Sequence, residues 1–175
     1  MEQNITTTTT KGLVIGLILV VISIGIYFSG IDVNNPIKWL VILIFIIGIL
    51  WSINSYGKQI RYNSTFGNYF AHGFKVTALI TSIMIIYIVL LIILFPEFKQ
   101  KGIEEGKQAM RAQKQLSEEQ INDWVTAMNK FFMVITVGGT LLIYIIVGAF
   151  ASLIGAAITK KAPDKFVGII NKIDE

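Results

Sequence analysis

Few side chains in this sequence could carry acid–base or metal chemistry, and their spacing does not suit either task. His72 is the single histidine, and the chain contains no cysteine. One histidine without cysteines or clustered carboxylates does not make a zinc site. The neighbouring acids Glu104 and Glu105, like Glu118 and Glu119, point to different faces of a helix, so neither pair predicts two cooperating carboxylates. We therefore expect no enzyme activity, no bound metal and no cofactor.

The composition and the arrangement of apolar residues predict an all-α integral membrane protein. Hydrophobic residues make up 54% of the 175-residue chain and charged residues 15%, whereas soluble domains are about 45–50% apolar and about 25% charged. The apolar residues form four long runs, and about 20 such residues in a helix cross a hydrocarbon core of about 30 Å. A net charge of +4 without a dense basic stripe favours contact with membrane lipids over binding of nucleic acid.

The sequence predicts one membrane domain over residues 1–175, built as a four-helix bundle. Pro36 suits the first helical position of span two, and Pro96 ends span three because proline cannot continue a helix. After the last span, the segment 163–173 has apolar residues at helical spacing. It predicts an amphipathic helix that lies on an anionic leaflet or docks on a protein partner. The four predicted spans are residues 12–28, 37–53, 74–95 and 131–158.

The interval 96–130 between spans three and four is polar, and it predicts an extramembrane helical hairpin. Ser117 and Gln120 match a capping box, in which each side chain accepts a hydrogen bond from the backbone of the other residue. The apolar residues that follow recur on one face of a helix. This apolar stripe is a candidate partner-binding surface, with packing against its own hairpin neighbour as the alternative. The stripe comprises Ile121, Trp124, Val125 and Met128.

Small residues predict two faces for helix packing. Gly148, Ser152 and Gly155 share a face of span four, and Gly12 and Gly16 share a face of span one. Small residues about one turn apart let two helix backbones approach closely. The alternative is that glycine is simply common in membrane helices. The spacing leaves open whether these faces pack within one chain or between copies in a homo-oligomer.

No ionisable residue is expected inside the four spans, and this bears on transport. Such groups are costly in hydrocarbon and form the proton relays of carriers, so their absence argues against proton-coupled transport. The leading hypothesis is a non-enzymatic scaffold or interaction protein that binds itself or a membrane-protein partner. The alternative is a small oligomeric transporter or pore for an uncharged or apolar solute. Its path would be lined by Thr77, Thr81, Ser82, Tyr87 and Thr140.

Charge near the span ends predicts the orientation. Four spans place both termini on the same side of the membrane, and cytoplasmic span ends carry an excess of lysine and arginine. Lys160 and Lys161 directly follow span four, whereas charges in the middle of the long interval, such as Lys107, lie farther from a span end. We therefore expect both termini to lie in the cytoplasm.

Several segments resemble one family of small bacterial membrane proteins, the domain of unknown function numbered four-one-nine-nine. The resemblance is carried by residues 66–75 (FGNYFAHGFK), the closing Phe95 and Pro96 of span three, residues 116–121 (LSEEQI) and residues 158–161 (ITKK). It extends over nearly the whole chain. The resemblance implies four spans, a long third connection and a bacterial inner membrane, and it implies no activity, cofactor or catalytic residue.

Overall fold

The computed structural model describes residues 7–30, 36–113 and 116–159, and every regular element in these ranges is helical. Four of the helices are long and apolar enough to cross a membrane. These findings confirm the predicted helical fold within the described residues and support an integral membrane protein. The predicted tail helix 163–173 lies outside the described residues. The helices are α1 (Thr8–Phe28), a 3-10 turn (Pro36–Lys38), α2 (Trp39–Gln59), α3 (Phe66–Leu94), α4 (Pro96–Gln113) and α5 (Glu118–Ile158).

Two threonine caps start α1 and α3 earlier than the predicted spans begin. The Thr7 side chain accepts a hydrogen bond from the Thr10 backbone N–H (3.2 Å), and the Thr65 side chain accepts one from the Asn68 N–H (3.5 Å). A threonine at the N-cap satisfies an otherwise unpaired helix donor, so the helix can begin in polar sequence before the apolar run. As a result Lys11 lies inside α1 rather than in a polar tail.

Helix α2 begins and ends later in the chain than the predicted span 37–53. Pro36 opens a 3-10 turn, and the α-helix itself starts at Trp39. The helix then continues for six residues beyond the predicted end at residue 53, and it closes where Arg61 (φ 52°) and Tyr62 (φ 58°) adopt left-handed backbone. This conformation lets the Tyr62 N–H donate to the Gly57 carbonyl at 2.7 Å, which satisfies one of the last helix acceptors.

The predicted capping box is present at the start of α5. The Gln120 N–H donates to Ser117 Oγ (3.2 Å), and the Ser117 N–H donates to Gln120 Oε1 (2.9 Å). The helix continues to Ile158, but Phe131 has non-helical backbone angles (φ −117°, ψ 15°). This kink separates an amphipathic segment, residues 118–130, from the apolar segment that follows.

Helix α3 lies at the centre of the structure and contacts α1, α2, α4 and α5. Gly12 and Gly16 of α1 lie beside Leu79 and Ile83 of α3, so these two helices run parallel. By contrast, Gly148 of α5 lies beside Thr77 of α3 and Ser152 lies beside Gly73, so α5 runs antiparallel to α3. The side chains between the helices are almost fully buried, with at most 1% exposure, and include Leu19, Phe45, Ile49, Ile53, Val76 and Ile80.

The outward faces of the long helices are strongly apolar. Val21 of α1 is 67% exposed, Ile47 of α2 is 55% exposed and Phe150 of α5 is 63% exposed. Contiguous exposed apolar surface of this kind is rare on soluble monomers. It is the expected outer surface of helices that face lipid.

Helix α4 packs against the first segment of α5. The Phe98 and Phe132 rings contact edge-to-face with centroids 6.2 Å apart. Lys99 Nζ donates to the Asn129 carbonyl oxygen at 2.8 Å. The placement of this α4–α5 helix pair outside the membrane, as an extramembrane hairpin, stays a prediction.

Candidate functional site

The predicted small-residue faces lie at close approaches between helices of one chain, but they contact different partners. A Cβ placed on Gly148 would lie 2.9 Å from the Thr77 Cβ, and one placed on Gly73 would lie 2.8 Å from Ser152 Oγ. Gly155 lies against Ile53 of α2. The face of α1 described above packs on α3, so the two predicted faces do not pack on each other.

The apolar stripe of α5 faces α4. Ile121 is 1% exposed, and Trp124, Val125 and Met128 are half-buried. The Trp124 indole packs on Gly106 of α4, where a Cβ would overlap the ring. Only glycine at this position allows so close a contact, and the stripe is therefore largely covered within the chain.

A buried lysine, which sequence reasoning missed, lies near the start of α1. Lys11 is only 1% exposed, and its Nζ donates to the Ser52 carbonyl oxygen (3.5 Å) and to Gln59 Oε1 (3.4 Å) of α2. The Thr7 cap extends α1 to include Lys11, which lies one residue before the predicted span 12–28, so the expectation that the spans hold no ionisable residue stays a prediction.

His72 joins three helices next to this lysine. Its Nδ1 is hydrogen-bonded to Thr8 Oγ1 of α1 (3.2 Å), and its Nε2 to Ser52 Oγ of α2 (3.1 Å). A neutral imidazole can form both bonds, since one ring nitrogen donates and the other accepts, and a hydroxyl can do either. The Tyr56 ring stacks on the imidazole, with centroids 4.3 Å apart and planes 6° apart.

We call this group the polar cluster; it comprises Thr8, Lys11, Ser52, Tyr56, Gln59 and His72. The sequence signal for His72 was its isolated position before an apolar run, but its partners come from α1 and α2, more than 15 residues away. Two hydroxyl groups of neighbouring helices hold the His72 ring in place. Chemically, the cluster joins the ends of three helices through polar contacts. Within the described residues, no group of three metal-binding side chains is present.

Replacing Lys11 by methionine is expected to stabilise the protein by about 1 kcal/mol or more. Methionine keeps an unbranched apolar stem and removes a buried charge, and apolar replacement of buried charged groups is often stabilising. Within the described residues, Lys11 forms no ion pair. The measurement is the thermal unfolding midpoint of purified protein in mild detergent. Lys58→Met, at an exposed position of α2, is the matched control. A lower midpoint for Lys11→Met alone would show that the ammonium is net stabilising.

A cavity of about 340 Å³ lies near the end of the helices next to α4, opposite the polar cluster. It is lined by residues of α1, α2, α3 and α5, and four residues of α4 close one side of it. The lining is mostly apolar, with three tyrosines and the charged residues Lys101 and Glu105. Between this cavity and the polar cluster lie the fully buried side chains Phe45, Ile49 and Ile80.

The five residues predicted to line a solute path are not brought together. Thr77 and Thr81 are buried, and the Thr81 and Ser82 hydroxyls donate to carbonyl groups one turn earlier in their own helix. Tyr87 lines the cavity, whereas Thr77, Thr81, Ser82 and Thr140 do not.

A family model described as a protein of unknown function matches residues 10–161. The matched range includes the segments at 66–75, 116–121 and 158–161. Neither the comparison with curated proteins nor the comparison with solved structures gives a match.

Proposed function

We propose that this chain, which belongs to the protein family of unknown function DUF4199, is a non-enzymatic scaffold of the bacterial inner membrane. In this proposal the four long helices span the bilayer as a bundle, with both termini in the cytoplasm. The α4–α5 helix pair stands outside the bilayer and binds a second protein through its polar outer face. The observation that carries the proposal is the packing of α4 against the first segment of α5, which makes one polar helix pair that is continuous with the apolar segment of α5.

Contacts at both ends and in the middle fix α4 to α5. Near the membrane helices, Phe98 packs on Phe132, and Lys99 donates to the Asn129 carbonyl. In the middle, the Trp124 ring packs on α4 at a glycine. A surface held in one conformation loses little conformational entropy when it binds, so it is well suited to recognition.

At the far end, an ion pair joins the two helices. Arg111 Nε and Nη2 donate to the two carboxylate oxygens of Glu118, at 3.1 and 2.7 Å. These hydrogen bonds raise the pKa of the Arg111 guanidinium above its ordinary value. Both side chains are exposed, and an exposed ion pair contributes little to stability. Its two-point geometry nevertheless fixes the orientation of one helix against the other.

The outer face of the helix pair is charged and uncovered within the described residues. A protein that recognises this face would use complementary charges, which give specificity and fast association more than affinity. The exposed residues on this face include Glu97, Glu104, Gln108 and Arg111 of α4 and Glu118, Glu119, Asn122, Asp123 and Thr126 of α5.

Site-specific photo-crosslinking in cells tests this function. A photoreactive amino acid at position 104 or 108 is expected to form a discrete adduct with one protein, either a second copy or another partner. The same amino acid at position 142, on the apolar outer face of α5, serves as the control for general membrane proximity. If positions 104 and 108 form no adduct, or only those formed at 142, the scaffold proposal is wrong.

A second variant tests whether the helix pair must be rigid. Gly106→Leu places a side chain where the Trp124 indole lies, so it separates α4 from α5 and is expected to abolish the adduct. Ala109→Leu adds the same side chain to an exposed position of α4 and is expected to leave the adduct unchanged. An adduct that survives Gly106→Leu would contradict the role of the paired helices.

A carrier for an uncharged or apolar solute is the second candidate. The cavity of about 340 Å³ favours it, because small-molecule sites are mostly apolar concavities of about 300–1,000 Å³. The packed core between the cavity and the polar cluster means that such a carrier would have to change conformation to open a path.

A further inference from the structure

The cavity near the α4 end of the helices combines an apolar wall with a mouth that carries both signs of charge. Ile26, Val41, Met84, Ile88 and Leu91 form much of the wall. On α3 the lining extends from residue 84 to residue 91, which is about 10 Å of helix. The volume of the cavity is about 340 Å³. That space suits part of one acyl chain and is too small for a whole two-chain lipid.

A tyrosine hydroxyl is available within this wall. Tyr144 lines the cavity and is only 8% exposed. None of the hydrogen bonds found in the described part of the chain involves its hydroxyl. The hydroxyl oxygen itself is not fully buried, so it can donate a hydrogen bond to a ligand in the cavity. Helical side chains tilt toward the N-terminus of their helix, so Tyr144 reaches toward the α4 end, where a ligand would enter.

The mouth of the cavity carries one positive and one negative side chain on α4. Lys101 is exposed and Glu105 is half-buried, and both line the cavity. Within the described residues, neither Lys101 nor Glu105 forms an ion pair. The ion pair found there joins Arg111 and Glu118. Two unpaired charges of opposite sign, about one helical turn apart, complement a headgroup that itself carries both signs.

From these observations we propose that the cavity is a binding site for a zwitterionic phospholipid. One acyl chain lies along the apolar wall, and the Tyr144 hydroxyl donates to an ester carbonyl. Lys101 binds the phosphate, and Glu105 binds the ammonium of the headgroup. The second chain stays in the surrounding bilayer. The site is independent of the scaffold function, since it lies on the inner side of α4 rather than on its outer face.

Native mass spectrometry of the full-length protein, stripped of lipid in detergent, tests the site. The probes are phosphatidylethanolamine and phosphatidylglycerol with identical chains, added together at equal concentration. One phosphatidylethanolamine is expected to stay bound, with about tenfold preference over the anionic lipid. Equal retention of the two lipids, or retention of neither, would overturn the proposal. Displacement of the bound lipid by a neutral hydrocarbon at equal concentration would also overturn the lipid-site proposal. It would instead favour a carrier for an apolar solute.

Three substitutions locate the bound lipid in the cavity. Lys101→Gln and Glu105→Gln are each expected to weaken retention about tenfold, and Tyr144→Phe to weaken it several-fold without changing the shape of the wall. Glu104→Gln, at the neighbouring exposed position of α4 that does not line the cavity, is the control and should have no effect. Unchanged retention in both charge variants would show that the lipid binds elsewhere, and the proposal would then be wrong.

Discussion

Replacing Gly148 by leucine is expected to destabilise the protein by about 3 kcal/mol or more. Gly148 is where α5 crosses α3, and even a Cβ there would lie 2.9 Å from the Cβ of Thr77. Thr77 is fully buried and cannot move aside, so the two helix backbones would have to separate. The separation would also uncover Ser152, one turn further along α5. Thermal unfolding in mild detergent measures the effect.

Two other glycines of α5 provide the matched control for this experiment. Gly138 and Gly139 have no atom within 4 Å of an added Cβ. Gly138→Leu should therefore change stability by no more than about 0.5 kcal/mol, or raise it slightly, since leucine has the higher helix propensity. Equal losses at 138 and 148 would show that glycine matters for the helix itself and not for the crossing of α3 and α5.

Replacing His72 by alanine is expected to cost about 2–4 kcal/mol of stability. The change removes two hydrogen bonds and the stacked contact with Tyr56. It also leaves a cavity and a buried Ser52 hydroxyl without its imidazole partner, and each of these is destabilising. The thermal unfolding midpoint again provides the measurement, with Asn68→Ala as the comparison.

Asn68 is a polar and exposed residue one turn earlier on the same helix as His72, and its side-chain amide is bonded only to Ser64 within the described residues. Its replacement should change stability by about 0.5 kcal/mol or less. His72→Phe refines the test, because phenylalanine keeps an aromatic ring against Tyr56 but cannot bond Thr8 or Ser52. We expect it to retain part of the stability. If His72→Phe keeps the full stability of the protein, the loss in His72→Ala is due to the missing ring contact with Tyr56.

Much of the helical organisation could be predicted from the sequence, because it depends on local composition. Long apolar runs predict membrane-length helices whatever their neighbours, and Ser117 with Gln120 forms its capping box from residues three positions apart. The helices extend beyond the predicted membrane spans. Thr7 and Thr65 extend α1 and α3 into polar sequence, and left-handed residues after α2 allow that helix to run past its apolar segment.

The polar cluster could not be predicted, because its members come from three helices. Lys11 precedes an apolar run and is easily interpreted as a residue that extends toward the headgroups. Only the arrangement of α1 beside α2 turns it inward to Ser52 and Gln59. The same holds for the tyrosines of the cavity, since each lies on a different helix. Sequence spacing within one helix carries no information on such contacts.

The kink at Phe131 has a mechanical consequence. A straight helix of 41 residues would be about 60 Å long, twice the thickness of a hydrocarbon core. The kink divides it into a long arm and a short arm, and the short arm of 13 residues before the kink is about 20 Å long. A change of about 10° in the angle at Phe131 would move the tip of the short arm by about 3–4 Å. Because α4 is bound along this arm, the two helices would swing together, and Phe131 would act as the pivot of a lever.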